Sequence, residues 1–119
     1  MPEPTVLNPE SIAALRDLNP GDNDEFLREI AGIFLEDTPN RIAELDQSLA
    51  AGDVAKFTRA AHSIKGSSSN LGATALQAVC EDLERRARAE GLAAVSDLVA
   101  QVKAEFAGTQ VALKTLLGI

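Results

Sequence analysis

The stretch HSIKGSSSNLGA, His62 to Ala73, gathers residue types that packing alone explains poorly. His62 is the chain's single histidine; a lysine follows three residues later, a glycine four later, then three serines in a row. If Asp53 to about Leu71 is one helix, Val54, Phe57, Ala61, Ile64, Ser68 and Leu71 recur at spacings of three and four and form a mostly apolar stripe facing a core. At roughly 100° per residue, His62 points about 130° away from that stripe, with Thr58, Gly66 and Ser69 on its own face. Its imidazole is therefore predicted to be exposed. Lys65 lies one turn on, at the margin between core and solvent, where an ammonium can reach a group bonded to the ring.

Gly66 is the residue that ordinary helix chemistry accounts for least. A glycine inside a helix costs about 1 kcal/mol relative to alanine, and access explains its presence: without a side chain beside the imidazole, a second molecule can approach closely. Free imidazole titrates near about pH 6.5, so at neutral pH it is a good nitrogen nucleophile. Such a ring can be phosphorylated, and a neighbouring ammonium can neutralise part of the phosphoryl charge. For Ser67 and Ser68 two readings stand side by side: small residues bonded back to the preceding turn, or hydroxyls that meet the phosphoryl group or its donor.

The remaining sequence supplies the elements that position this stretch. Residues 1–7 hold two prolines and read as a flexible N-terminus; residues 8–119 read as a single domain. A short first helix starts with Asn8 as cap and Pro9 at its first position. It runs to about Leu18, with Ile12, Leu15 and Leu18 on one side, and Asn19-Pro20-Gly21 is the turn that stops it. Asp22 and Glu25 read as a capping box opening a second helix. Phe26, Leu27, Ile30, Ile33, Phe34, Ile42, Leu45 and Leu49 keep the helical period to about Ala51, so one long helix kinked at Pro39 is expected in preference to a break.

Gly52 and Asp53 form a tight corner into the His62 helix, and Asn70 to Gly72 form the next. A fourth helix, about Thr74 to Glu90, turns Leu76, Val79, Cys80, Leu83 and Ala87 inward. A last one, from about Leu92, repeats Val95, Val99, Val102, Phe106, Leu113 and Leu116, with Gly108 as a weak point. Four long amphipathic helices joined by short turns predict an all-α antiparallel up-and-down four-helix bundle with a short additional N-terminal helix.

The stretch resembles the signature of histidine-containing phosphotransfer (HPt) domains, the helical modules that carry a phosphoryl group between receiver domains in two-component phosphorelays. His62, Lys65, Gly66, Ser67, Ser68, Leu71 and Gly72 fall on positions of that pattern. The resemblance implies that His62 accepts a phosphoryl group from a receiver-domain aspartate and passes it to another, with Lys65 stabilising charge and Gly66 giving access. It also implies an apolar docking patch beside His62, from the first three helices. Glu84 stands where HPt-like domains often have Gln or Glu; a carboxylate there would hold the ring tautomer whose Nε2 is free. The other reading of Glu84 is an ordinary charged position among Glu81, Asp82, Arg85, Arg86 and Arg88.

Composition excludes other classes. A net charge of -7 argues against nucleic acid and anionic membrane as partners. One cysteine and one histidine leave no metal cluster and no internal disulfide, and Cys80 reads as a small core residue. Neither G-x-x-x-x-G-K nor G-x-G-x-x-G occurs, so no cofactor is expected and the chain reads as a phosphoryl carrier, not an ATP-using enzyme. The magnesium ion of such a transfer is expected on the receiver. Without a secretion signal or a membrane-length apolar run, a cytoplasmic, monomeric protein is expected. Two alternatives stand beside the relay: a helical adaptor in which His62 has no chemistry, favoured by a buried His62, and a phosphoacceptor domain cut from a larger histidine kinase. Met1 and the helical end at Leu116 to Ile119 favour a free-standing protein.

Overall fold

A computed structural model describes residues 7–18, 21 and 24–118. Five α-helices follow in order: α1 (Pro9–Leu18), α2 (Glu25–Ala51), α3 (Val54–Asn70), α4 (Thr74–Glu90) and α5 (Ser96–Leu117). The described residues contain no strand. Each long helix packs on the next and α5 closes against α2, giving the four-helix bundle. The core is mainly aliphatic around a buried Phe57: Leu27, Leu45, Ile64, Leu71, Leu76, Leu83, Val102 and Leu113 are, like it, essentially removed from solvent. Phe34 and Phe106 stack at a tilt, 5.6 Å between centroids, and tie α2 to α5.

The helix ends follow local chemistry. The Asn8 side-chain oxygen accepts from the Glu10 N–H at 2.9 Å, capping α1. α2 runs without a break through Pro39. It closes at Gly52, whose φ is +71°; the Gly52 N–H donates to Leu49 O and the Asp53 N–H to Ser48 O. Asp53 then caps α3 by accepting from the Lys56 N–H at 3.1 Å. The α3–α4 corner repeats the motif, with Gly72 at φ +70° and the Ala73 N–H donating to Ser68 O at 2.9 Å.

Gly72 has a second duty. Its carbonyl accepts from the Asn8 N–H at 2.7 Å, so this corner is where α1 docks. A Cβ at Gly72 would lie 2.7 Å from Ser11 Cβ and 2.9 Å from Asn8 Cβ. Gly72→Ala therefore combines a left-handed backbone with a collision, and is expected to cost about 2–4 kcal/mol. Thermal unfolding should show a melting temperature lower by roughly 10 °C. A fall under about 2 °C would mean that α1 yields freely and is not fastened at this corner.

Several expectations need correction. Ile33 is 57 % exposed on α2, and Val54, at the first turn of α3, also faces solvent. Thr58 does not share the His62 face; it is buried, with Oγ1 donating to the Val54 and Ala55 carbonyls. Leu18 is exposed. A short 3-10 turn occupies Leu92–Ala94, so α5 begins at Ser96, where Val95 has already entered the core. Leu117, not Leu116, is the last buried leucine, and α5 passes Gly108 unbroken. Of the expected Asp22–Glu25 capping box, Asp22 lies outside the described residues. Asp24 immediately precedes the helix at φ +64°, and its carboxylate receives the Arg16 guanidinium at 2.9 and 3.1 Å without capping. Asn19 and Pro20 of the expected turn, and residues 1–6 of the expected flexible N-terminus, also lie outside the described residues.

Candidate functional site

His62 sits midway along α3, on the side away from the buried Ile64, Ser68 and Leu71. Its side chain is 65 % exposed. Nδ1 faces the Glu84 carboxylate, 3.2 Å from Oε1 and 3.3 Å from Oε2. An ionised carboxylate can only accept, so this contact assigns the ring proton to Nδ1 and leaves the Nε2 lone pair unprotonated.

Glu84 belongs to α4, the neighbour on which α3 packs most extensively, and only 8 % of its side chain is exposed. Lys65 Nζ donates to Oε2 at 3.0 Å and Arg88, one turn further along α4, reaches Oε1 at 3.1 Å. Burial pushes the Glu84 carboxyl up, but hydrogen bonds from Lys65 and His62 outweigh it and hold the group below its ordinary value. One carboxylate thus organises an imidazole and two cations. Lys65 is half-buried and Arg88 mostly exposed, so both heads can move toward a newly arrived anion.

On the other side of the ring, Gly66 is exposed, and a Cβ built there would meet nothing within 4 Å. Space beside the imidazole is open.

The family model for the Hpt domain matches residues 29–112, enclosing all of these groups. The chain belongs to the Hpt domain family. A Schizosaccharomyces pombe protein named multistep phosphorelay regulator 1 is 34 % identical over 70 residues, which cover 59 % of this chain and 24 % of that protein. Histidine-containing phosphotransfer protein 4 of Arabidopsis thaliana is 29 % identical over 82 residues, covering 67 % of this chain and 65 % of that one. The chain therefore spans less than two thirds of either curated relative. The crystal structure of histidine-containing phosphotransfer protein B from Pseudomonas aeruginosa PAO1 superposes with a TM-score of 0.87 at 31 % identity, over 98 % of this chain and 97 % of that one.

Within this Hpt domain the two serines part company. Ser68 is fully buried and its Oγ donates to Ile64 O at 2.6 Å, so it serves close helix packing and lies away from the imidazole. Ser67 bonds back to Ser63 O at 3.1 Å and lines a groove toward α2. Cys80 is buried, and desolvation pushes its thiol up to about 12, the reverse of what a reactive thiolate needs. Arg88 is the site residue that sequence reading passed over. Its signal was the Glu84–Arg88 spacing of four, which puts an acid one turn before a base on one helix face.

Proposed function

We propose that this Hpt domain is a phosphorelay intermediate in which Nε2 of His62 takes a phosphoryl group from a receiver-domain aspartyl phosphate and later yields it to another receiver's aspartate. The observation that carries the reading is the ring itself, mostly exposed and held at Nδ1 by a buried carboxylate, with an exposed glycine one turn on.

In the transfer, the Nε2 lone pair forms the N–P bond while the P–O bond to the aspartyl carboxylate breaks, and the carboxylate leaves with that electron pair. No proton has to leave Nε2. The ring, still protonated at Nδ1, gains positive charge as the bond forms, and Glu84 stabilises it. Lys65 and Arg88 offer donors to the phosphoryl oxygens. Such transfer needs positioning and charge neutralisation more than covalent help. The magnesium ion of the reaction is assigned to the receiver in this reading. The chain is a carrier in this reading, monomeric and cytoplasmic. None of its described helices is long and apolar enough to cross a membrane.

The reading is tested by incubating the protein with several receiver domains carrying radiolabelled aspartyl phosphate. Label should move to this chain, survive alkali and be lost in acid. No transfer from any competent receiver to the folded bundle would overturn the reading.

Gly66 supplies an independent check. With open space around it and a regular helical backbone, Gly66→Ala is expected to stabilise the bundle by about 1 kcal/mol, raising the melting temperature by about 4 °C. Gly66→Leu should also stabilise the helix, yet lower the transfer rate by about tenfold or more by crowding the approach to Nε2. Unchanged transfer with Gly66→Leu would remove the access argument.

A further inference from the structure

The Glu84 carboxylate also bears on the second half of the relay, the departure of the phosphoryl group; the inference rests on the relay reading above. Once Nε2 is bonded to phosphorus, Nδ1 is the one ring nitrogen left to carry a proton. The phosphorylated ring is therefore either Nδ1–H and cationic, or has no N–H at all. These two forms differ as leaving groups. When a receiver carboxylate or a water oxygen bonds to phosphorus, the N–P bond breaks and its electron pair returns to Nε2. The Nδ1–H ring then departs as neutral imidazole, the bare ring as an imidazolate anion. With water as the attacking group, both water protons stay on the phosphate. Release thus runs through the protonated ring.

What faces Nδ1 decides which form persists. Among the described residues Glu84 is the one side chain hydrogen-bonded to the ring, at 3.2 and 3.3 Å, and it is buried. An ionised carboxylate only accepts, so it bonds Nδ1 while the proton is there; loss of the proton sets a lone pair against a buried anion. Lys65 from α3 and Arg88 from α4 bind the same carboxylate. A phosphoryl group on Nε2 competes for both, which leaves more of the carboxylate's charge to the ring. Of the other charged groups on the packed helices, Arg85 is paired with Asp82, and Asp37 and Glu44 of α2 are paired with Arg41. Glu81 lines the cleft beside Glu84 and acts in the same direction; Arg59, one turn before His62, acts against it. Both are exposed and screened by solvent. We propose that Glu84 keeps the phosphorylated ring protonated at Nδ1 and thereby extends release of the phosphoryl group into the alkaline range. This duty is separate from holding the tautomer with Nε2 free before transfer, and glutamine tells the two apart. Its oxygen accepts from Nδ1–H before transfer; afterwards the amide turns over and donates to a bare Nδ1, favouring the form that does not leave.

The test labels wild type and Glu84→Gln at the single histidine with phosphoramidate, a small donor that needs no receiver and whose P–N bond breaks to release ammonia. Loss of label is then followed from about pH 5 to about pH 10. The two proteins should lose label at rates within about threefold of each other near pH 5, where either ring is protonated. Near pH 9 the wild type should lose it about tenfold faster, its fall toward alkali displaced upward by about one pH unit. Nitrogen NMR of the labelled ring should show the Nδ1 proton retained to correspondingly higher pH in the wild type. Transfer of the label to a receiver should show the same alkaline gap. A cooperative unfolding transition in Glu84→Gln establishes that the bundle is intact. Rates within about twofold of each other near pH 9, a difference of the same size at every pH, or an Nδ1 proton lost at the same pH in both proteins would overturn the proposal and leave the relay reading in place. Label from phosphoramidate but from no competent receiver would overturn the relay reading, while the pH profile still decides this one. Absence of label on the wild type from every donor would overturn both.

Discussion

His62→Gln is expected to abolish transfer, a loss of at least about 10³-fold, while leaving the melting temperature within about 2 °C of wild type. The two halves of this expectation have separate causes. Loss of activity follows because the chain contains no other imidazole, so no second acid-labile acceptor of the same kind exists. Retained stability follows because most of the side chain is in water and no core contact depends on it. Glutamine also keeps an amide that can donate toward Glu84, so the buried carboxylate retains Lys65, Arg88 and a neutral donor. The measurement is label acquisition from a phosphorylated receiver alongside thermal unfolding. Acid-labile, alkali-stable label on the variant would put the acceptor elsewhere and dismantle the site. A variant that binds the receiver as tightly as wild type, yet takes no label, would separate docking from chemistry.

What was legible in the sequence, and what was not, divides by the range of the interaction. Helix ends rest on neighbours within five residues, so Asn8, Gly52, Asp53 and Gly72 could be read directly and α4 runs over the expected Thr74–Glu90. Facial assignments depend on where neighbouring helices stop. Ile33 keeps the helical period and still stays mostly exposed at the rim of the groove that it lines with Ser67 and Asn70, and Val54, at the first turn of α3, faces solvent. In α5 a strict seven-residue repeat drifts by about 20° per heptad against a straight helix. After three heptads from Val95 the inward position has moved from Leu116 to Leu117.

The site shows the same limit. His62 and Lys65 are three residues apart, and their common edge follows from helix geometry. That Glu84 rather than Glu81 meets them depends on the axial register of α4 against α3, which no spacing encodes; 22 residues and a corner separate Glu84 from His62. Ser68 falls on the core-facing stripe by spacing alone; what spacing left open is the partner of each hydroxyl, which is Ile64 O in the core for Ser68 and Ser63 O near the surface for Ser67.

Because Glu84 joins three groups at once, its replacement should separate positioning from stability. Glu84→Leu is expected to slow transfer by about 100-fold. It removes both the acceptor that fixes the Nδ1–H tautomer and the anion that stabilises the ring as it gains charge. The fold should suffer little, about 1 kcal/mol or less, because leucine suits a buried position and the Lys65 and Arg88 heads can turn to water. Glu84→Gln keeps an oxygen that can accept from Nδ1 but not the charge, and should recover transfer to within about tenfold of wild type. Nitrogen NMR of the imidazole gives a readout that a merely structural residue would not move: predominantly Nδ1–H in wild type, a mixture of tautomers in Glu84→Leu.

The pH dependence has a definite sign. The Glu84 carboxyl is held below its ordinary value of 4.5 in the folded protein, so its contribution to stability is present above about pH 4.5 and is lost as pH falls through the lowered folded value. The melting-temperature difference between wild type and Glu84→Gln should therefore diminish as the pH falls through that acid range. A difference that stayed the same throughout that range would mean that pairing does not hold this carboxylate in its ionised form in the folded protein.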